Sequence, residues 1–156
     1  MGLAASAALV AAAVLLPSGC SSGPGCRPVS VGVATPHITD IKAAFDIVAT
    51  VTASGHPLSG VSVEFWAWGS PPGETSSVGT DLGAAVSGAD GRATFHEPAL
   101  DTPGDVGRMA ANLTGNTLVR VSGSVAAASI AGTAYCAAKG RAAVTDCGPD
   151  GCMIKA

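Results

Sequence analysis

The sequence predicts an all-β protein, an antiparallel β-sandwich of about seven short strands. Three observations predict it. Glycine (21) and proline (10) are frequent and fall between short apolar runs, punctuation that suits many short strands better than long helices. Two of those runs alternate apolar and polar residues with a period of two, as a half-buried strand does. Turn chemistry, Gly-x-Pro and Asp-Gly above all, separates the runs.

In the first run Phe45, Ile47, Ala49 and Val51 share one face, and Asp46, Val48, Thr50 and Thr52 the other. A turn cluster at 54–60 follows. In the second run Val61, Val63, Phe65 and Ala67 are set against Ser62, Glu64, Trp66 and Trp68. A Pro/Gly/Ser-rich loop at 69–79 leads to a short run at 82–86. Gly88-Ala89-Asp90-Gly91 then reads as a hairpin turn, with 92–96 as the returning strand. After a loop at 97–104 come the apolar segment 109–113 and a turn at Gly115-Asn116. Run 118–125 alternates again, with Val119, Val121 and Val125 opposite Arg120, Ser122 and Ser124. Residues 126–138 are rich in Ala, Ser and Gly, a composition that fits a short helix or a weak strand; Thr133 to Cys136 favours strand.

The stretch FDIVATVTASGHPLSGVSVEFWAWG, followed by VSGADGRATF, resembles the bacterial Ig-like domains of the invasin/intimin type. The resemblance is carried by Gly55, Pro57, Leu58, Gly60 and Val61 in the turn, by Val61, Val63 and Phe65 in the strand, and by Asp90, Gly91, Ala93 and Phe95 in the hairpin. It covers roughly 43–97 and implies an Ig-like sandwich of the bacterial surface. The same turn signals occur in carboxypeptidase regulatory-like and transthyretin-like sandwiches.

Ahead of this region, MGLAASAALVAAAVLL reads as the apolar part of an export signal, too short for a comfortable membrane span. The following LLPSGC-SSGPG resembles the lipobox of bacterial lipoproteins, although Pro17 stands where that pattern usually has leucine. The resemblance implies that Cys20 becomes a diacylated N-terminus and anchors the chain to a membrane. With ordinary signal-peptidase cleavage near Ser18 or Gly19 the protein is instead secreted. The expected layout is an N-terminal signal helix within 1–19, a tether over 20–36, a sandwich domain over 37–138 and a cysteine-containing tail over 139–156.

Of the five cysteines, setting Cys20 aside leaves Cys26, Cys136, Cys147 and Cys152, an even number that an oxidising compartment pairs into two disulfides. Three connectivities are open. The expected one joins Cys26 to Cys136, closing nearly the whole domain, and Cys147 to Cys152 around a local loop. A zinc reading of these cysteines lacks both a Cys-x-x-Cys pair and any histidine in the last sixty residues.

The chain carries no nucleophile elbow, no P-loop and no dinucleotide fingerprint, and His96-Glu97 is followed by Pro98 rather than by a zinc-binding helix. No catalytic residue, metal ligand or cofactor is therefore expected. His37, His56 and His96 lie in separate segments, and Asp90, Asp101 and Asp105 read as turn residues. A net charge of −3 with only 12% charged residues excludes the basic stripe that nucleic acid requires. Trp66 and Trp68 remain. With Phe65 in the core, both indoles project outward, as a surface for an envelope protein, a polysaccharide or a membrane interface would. The expectation is a non-enzymatic, envelope-anchored binding or structural module; the alternative is an accessory lipoprotein for a small ligand or metal.

Overall fold

A computed structural model describes residues 25–100 and 107–155; the signal segment 1–19 and Cys20 lie outside them. The described chain is all-β, built from strands β1 (Val29–Val33), β2 (Phe45–Ala53), β3 (His56–Pro57), β4 (Ser62–Ser70), β5 (Val78–Val86) and β6 (Arg92–Glu97), helix α1 (Arg108–Leu113), and strands β7 (Thr117–Val125), β8 (Ala128–Ile130), β9 (Thr133–Tyr135) and β10 (Ala138–Ala143). Two antiparallel sheets form the layers. One has β2 at its centre, with β1 on one side and β6 and the two-residue β3 end to end on the other. The other runs β10-β7-β4-β5. The placement of β7 between β4 and β10 is that of strand F between C and G in an Ig-like sandwich.

The alternating runs make the core. Phe45, Ile47, Ala49 and Val51 from β2 face Val63, Phe65 and Ala67 from β4, all at most 6% exposed. Phe65 meets Phe95 of the opposite sheet with ring centroids 5.8 Å apart. Gly123 lies at the middle of the sandwich, where an added Cβ would stand 3.2 Å from Val63 and 3.4 Å from Val33. Phe45, Ile47, Phe65 and Leu118 share the interior with Ala, Val and Gly, and the close approach at Gly123 leaves little tolerance for added volume.

The structure corrects several sequence expectations. Residues 29–33, expected within the tether, are strand β1, paired with Ala49–Ala53 of β2. Residues 138–143, placed mostly in the tail, are β10, whose Gly140 packs so closely on β1 that an added Cβ would overlap the Val31 carbonyl oxygen. The turn at 88–91 forms, with Gly91 at φ 76° and the Arg92 amide donating to the Asp90 carboxylate at 3.0 Å. Its flanking strands, however, enter different sheets: β5 pairs with β4, and β6 with β2. The turn is thus a crossing between layers rather than a two-strand hairpin. In β7, Leu118 and Val121 are both fully buried while Val119 is only partly so, because a bulge opposite Trp68 and Gly69 shifts the register.

The apolar segment 109–113, read among the short runs of an all-β chain, folds instead as helix α1, burying Met109, Ala110 and Leu113 on one helical face. Residues 128–135 form a hairpin whose turn, Ala131 at φ 48° and Gly132 at φ 78°, has positive φ at both central positions.

Both expected disulfides are present. Cys26–Cys136 joins residues 110 apart and ties the lead-in segment to the β8–β9 hairpin, where the Arg27 amide also donates to Ala134 and the Cys136 amide to Arg27. Cys147–Cys152 closes a loop of sequence separation 5. That loop docks the tail along the start of β7: the Leu118 amide donates to Cys152 at 2.8 Å, and fully buried Ile154 exchanges bonds with Gly115 and Asn116.

In the chain-entropy description, closing the long loop stabilises by about 4–5 kcal/mol and the short one by about 2 kcal/mol. Cys26→Ser/Cys136→Ser should therefore lower the denaturant midpoint more than Cys147→Ser/Cys152→Ser does, as urea titrations of the two variants against wild type would measure. An equal or reversed order would remove the long bridge from its dominant role.

Candidate functional site

The outward face of the β10-β7-β4-β5 sheet gathers the side chains that the core excludes. Because side chains alternate along a strand, burying Val63, Phe65 and Ala67 turns Glu64, Trp66 and Trp68 to the opposite face. Register then selects their neighbours. Trp66 stands opposite Ser122 of β7 and Asp81 of β5, while Trp68 stands opposite Arg120 and Gly79. Arg141 and Lys139 of β10 follow, opposite Ser122 and Ser124.

Trp66 and Trp68 lie with ring centroids 6.3 Å apart and planes inclined by 29°, a shared aromatic shelf that is half-buried rather than fully exposed. Trp68 is fixed on several sides. Its Nε1–H donates to Ser122 Oγ at 3.1 Å, so the buried hydroxyl and the indole satisfy one another. The Arg120 guanidinium lies 4.6 Å from its ring centroid and the Lys139 ammonium 5.9 Å, within the range of cation–π attraction. Beneath the ring is Gly79, where an added Cβ would stand 2.8 Å from Trp68 Cζ3.

Beside this shelf is a small open cavity of about 120 Å³ lined by Trp68, Arg120, Ser122, Lys139 and Arg141. Three of the eight lysines and arginines of a chain with net charge −3 line it, and no carboxylate does. Of the acids on the same face, Asp81 is paired with Arg108 at 3.2 Å, and Glu64 stands two residues beyond Trp66, away from Trp68.

The sequence placed Trp66 and Trp68 on this face but missed the cations, because Arg120, Lys139 and Arg141 lie on β7 and β10 and meet β4 only through strand pairing. The alternation of Arg120, Ser122 and Ser124 was the available signal, and it lacked a partner strand. The histidines are not brought together: His96 pairs with Asp46 at 2.8 Å on the outer face of the other sheet. Among the described residues no group of three or more His, Cys, Asp or Glu side chains is placed to hold a metal ion; Asp101 and Asp105 lie outside those residues. No family model, no curated protein and no solved structure matches the chain.

The tight seat of Trp68 gives a direct check. Gly79→Val should force the indole off the strand, breaking its bond to Ser122 and exposing the ring, at a cost of about 1–3 kcal/mol. A red-shifted tryptophan emission and a lower melting temperature are expected; unchanged emission would mean that Trp68 does not rest on Gly79.

Proposed function

We propose that the chain is an envelope-anchored, non-enzymatic binding module: an Ig-like lipoprotein held to a membrane through Cys20, whose partner docks on the outer face of the β10-β7-β4-β5 sheet. The observation that carries this reading is the pair of half-buried indoles on the outward face, with Arg120, Lys139 and Arg141 gathered at Trp68. Aromatic and arginine side chains together are the residues that dominate binding surfaces. Two disulfides support an oxidising compartment, in keeping with the signal segment and the Gly19-Cys20 sequence. A small-ligand carrier has less support, since pockets that enclose such ligands run to about 300 Å³ or more.

The full chain, expressed with its own leader in a bacterial host, should fractionate with membranes and carry a diacylglycerol mass increment. Cys20→Ser should lose that increment and leave the membrane fraction. The Cys20→Ser chain should also sediment with isolated, detergent-washed envelopes, and Trp66→Ala should weaken that sedimentation. Recovery of wild type unmodified from the cytosol with free thiols would overturn the anchor. Sedimentation that is absent, or unchanged by Trp66→Ala and by Arg141→Glu, would overturn the docking face.

A further inference from the structure

We infer that the shelf and its cavity recognise an acidic polysaccharide, one whose sugar rings bear carboxylate groups; this deepens, and rests on, the reading of that face as a docking surface.

Two features must be matched by one occupant. Trp68 carries the Arg120 guanidinium over its ring and rests on Gly79, so the indole left to pack against the electropositive C–H face of a pyranose ring is that of Trp66 beside it. Next to the two indoles Arg120, Lys139 and Arg141 converge on a cavity of about 120 Å³ without a carboxylate among them. That space suits one anionic substituent and excludes a whole ligand. Guanidinium groups take a carboxylate through paired N–H donors, and a cavity whose charged lining residues are all cations favours an anion there. A polymer of acidic sugars supplies both features at once, a ring on the shelf and its acid group in the cavity, repeated along the chain.

Other anionic polymers fit less well. A peptide adding itself to a sheet pairs along a free edge, and although β10, with Lys139 and Arg141, ends this sheet, Trp66, Trp68 and Arg120 stand on β4 and β7, both paired on each side. A folded protein partner needs a docking patch of roughly 800 Å² with an apolar centre, and the apolar part here is two half-buried rings among cations. Single-stranded nucleic acid could stack on the indoles, but it calls for a positive groove along its backbone, and the cations here are confined to three positions in a chain of net charge −3.

The experiment titrates the full chain, purified with its leader in detergent, with polygalacturonate and follows tryptophan emission. Binding that weakens with added salt is expected. The exposed pair Lys139→Gln/Arg141→Gln should weaken it about tenfold with unchanged melting, since each lost charge contact is worth up to a few-fold. Trp66→Ala should weaken the binding and leave only the emission change of Trp68, which lines the cavity. The comparison arms are the fully methyl-esterified polymer, polyglutamate and an oligothymidylate, and none should match polygalacturonate. Equal binding of the esterified polymer would overturn the acidic class, and equal binding of polyglutamate or oligothymidylate would overturn the sugar. If no polysaccharide binds while envelope sedimentation persists, this inference falls and the docking face stands; if both fail, both fall.

Discussion

The register of β4 governs both the core and the outer face. A strand places successive side chains on opposite sides, so the inward position of Phe65, fully buried against Phe95 of the facing sheet, commits Trp66 and Trp68 to the outside. A slip by one residue would exchange them, driving two large indoles into an interior already packed closely around Ala49, Ala67 and Gly123. The inner layer is too thin to receive them, which makes the alternative register costly. Bulges lie to either side of this strand, between Phe65 and Trp66 toward β5 and between Trp68 and Gly69 toward β7. Each inserts one residue in the partner strand, Leu82 and Val119, and bends the local sheet. The face bearing the indoles is therefore bounded by two irregularities that turn the neighbouring strands around it.

The ends of the described chain close the fold. Strand β1 lies on the first sheet while packing against β10 of the second, and Gly140 is what allows the approach. The long disulfide secures the same edge from Cys26. On the other side the Cys147–Cys152 loop sets Gly148, at φ 76°, so close to Thr39 that an added Cβ would overlap its carbonyl oxygen. Cross-links and close glycine contacts at the seams add to what the buried side chains of the two sheets supply.

Much of this was legible in the sequence where the signal is local. The period-two runs of β2 and β4 fix strands and faces with no tertiary information, and the even number of cysteines beyond Cys20 points to two disulfides, though not to which of three connectivities they take. What sequence could not supply depends on distance along the chain. Val29–Val33 carries the same alternation, Val29, Val31 and Val33 against Ser30 and Gly32, but over only five residues behind a Ser/Gly/Pro run, and its place as a strand is fixed by pairing with β2. The Ala-Lys-Gly-Arg-Ala-Ala run of β10 is weak in β-propensity and becomes a strand by adding to β7. The Asp-Gly turn was recognised, but a local signal cannot say whether the strands it joins share a sheet. The same limit applies to the site: the tryptophans were visible as a pair, and the cations arrive from strands more than fifty residues later.

Strand direction relates this site to the proposed anchor. The Cys26–Cys136 bridge sits where β7 ends at Val125 and the β8–β9 hairpin begins, so a tether from Cys20 would enter the domain at that end. Trp68 and Arg120 stand five residues back along β7, about 17 Å from Val125 at the rise of an extended strand. Lys139 and Arg141 bridge the interval on β10, opposite Ser124 and Ser122. The indole most firmly seated thus lies toward the end of the sheet away from the attachment, with positive charge on the side facing back along it. An anchored sandwich of this polarity would hold its aromatic shelf clear of the membrane surface, and the long disulfide would pass tension on the tether to Cys136, between β9 and β10, rather than peeling β1 from the edge.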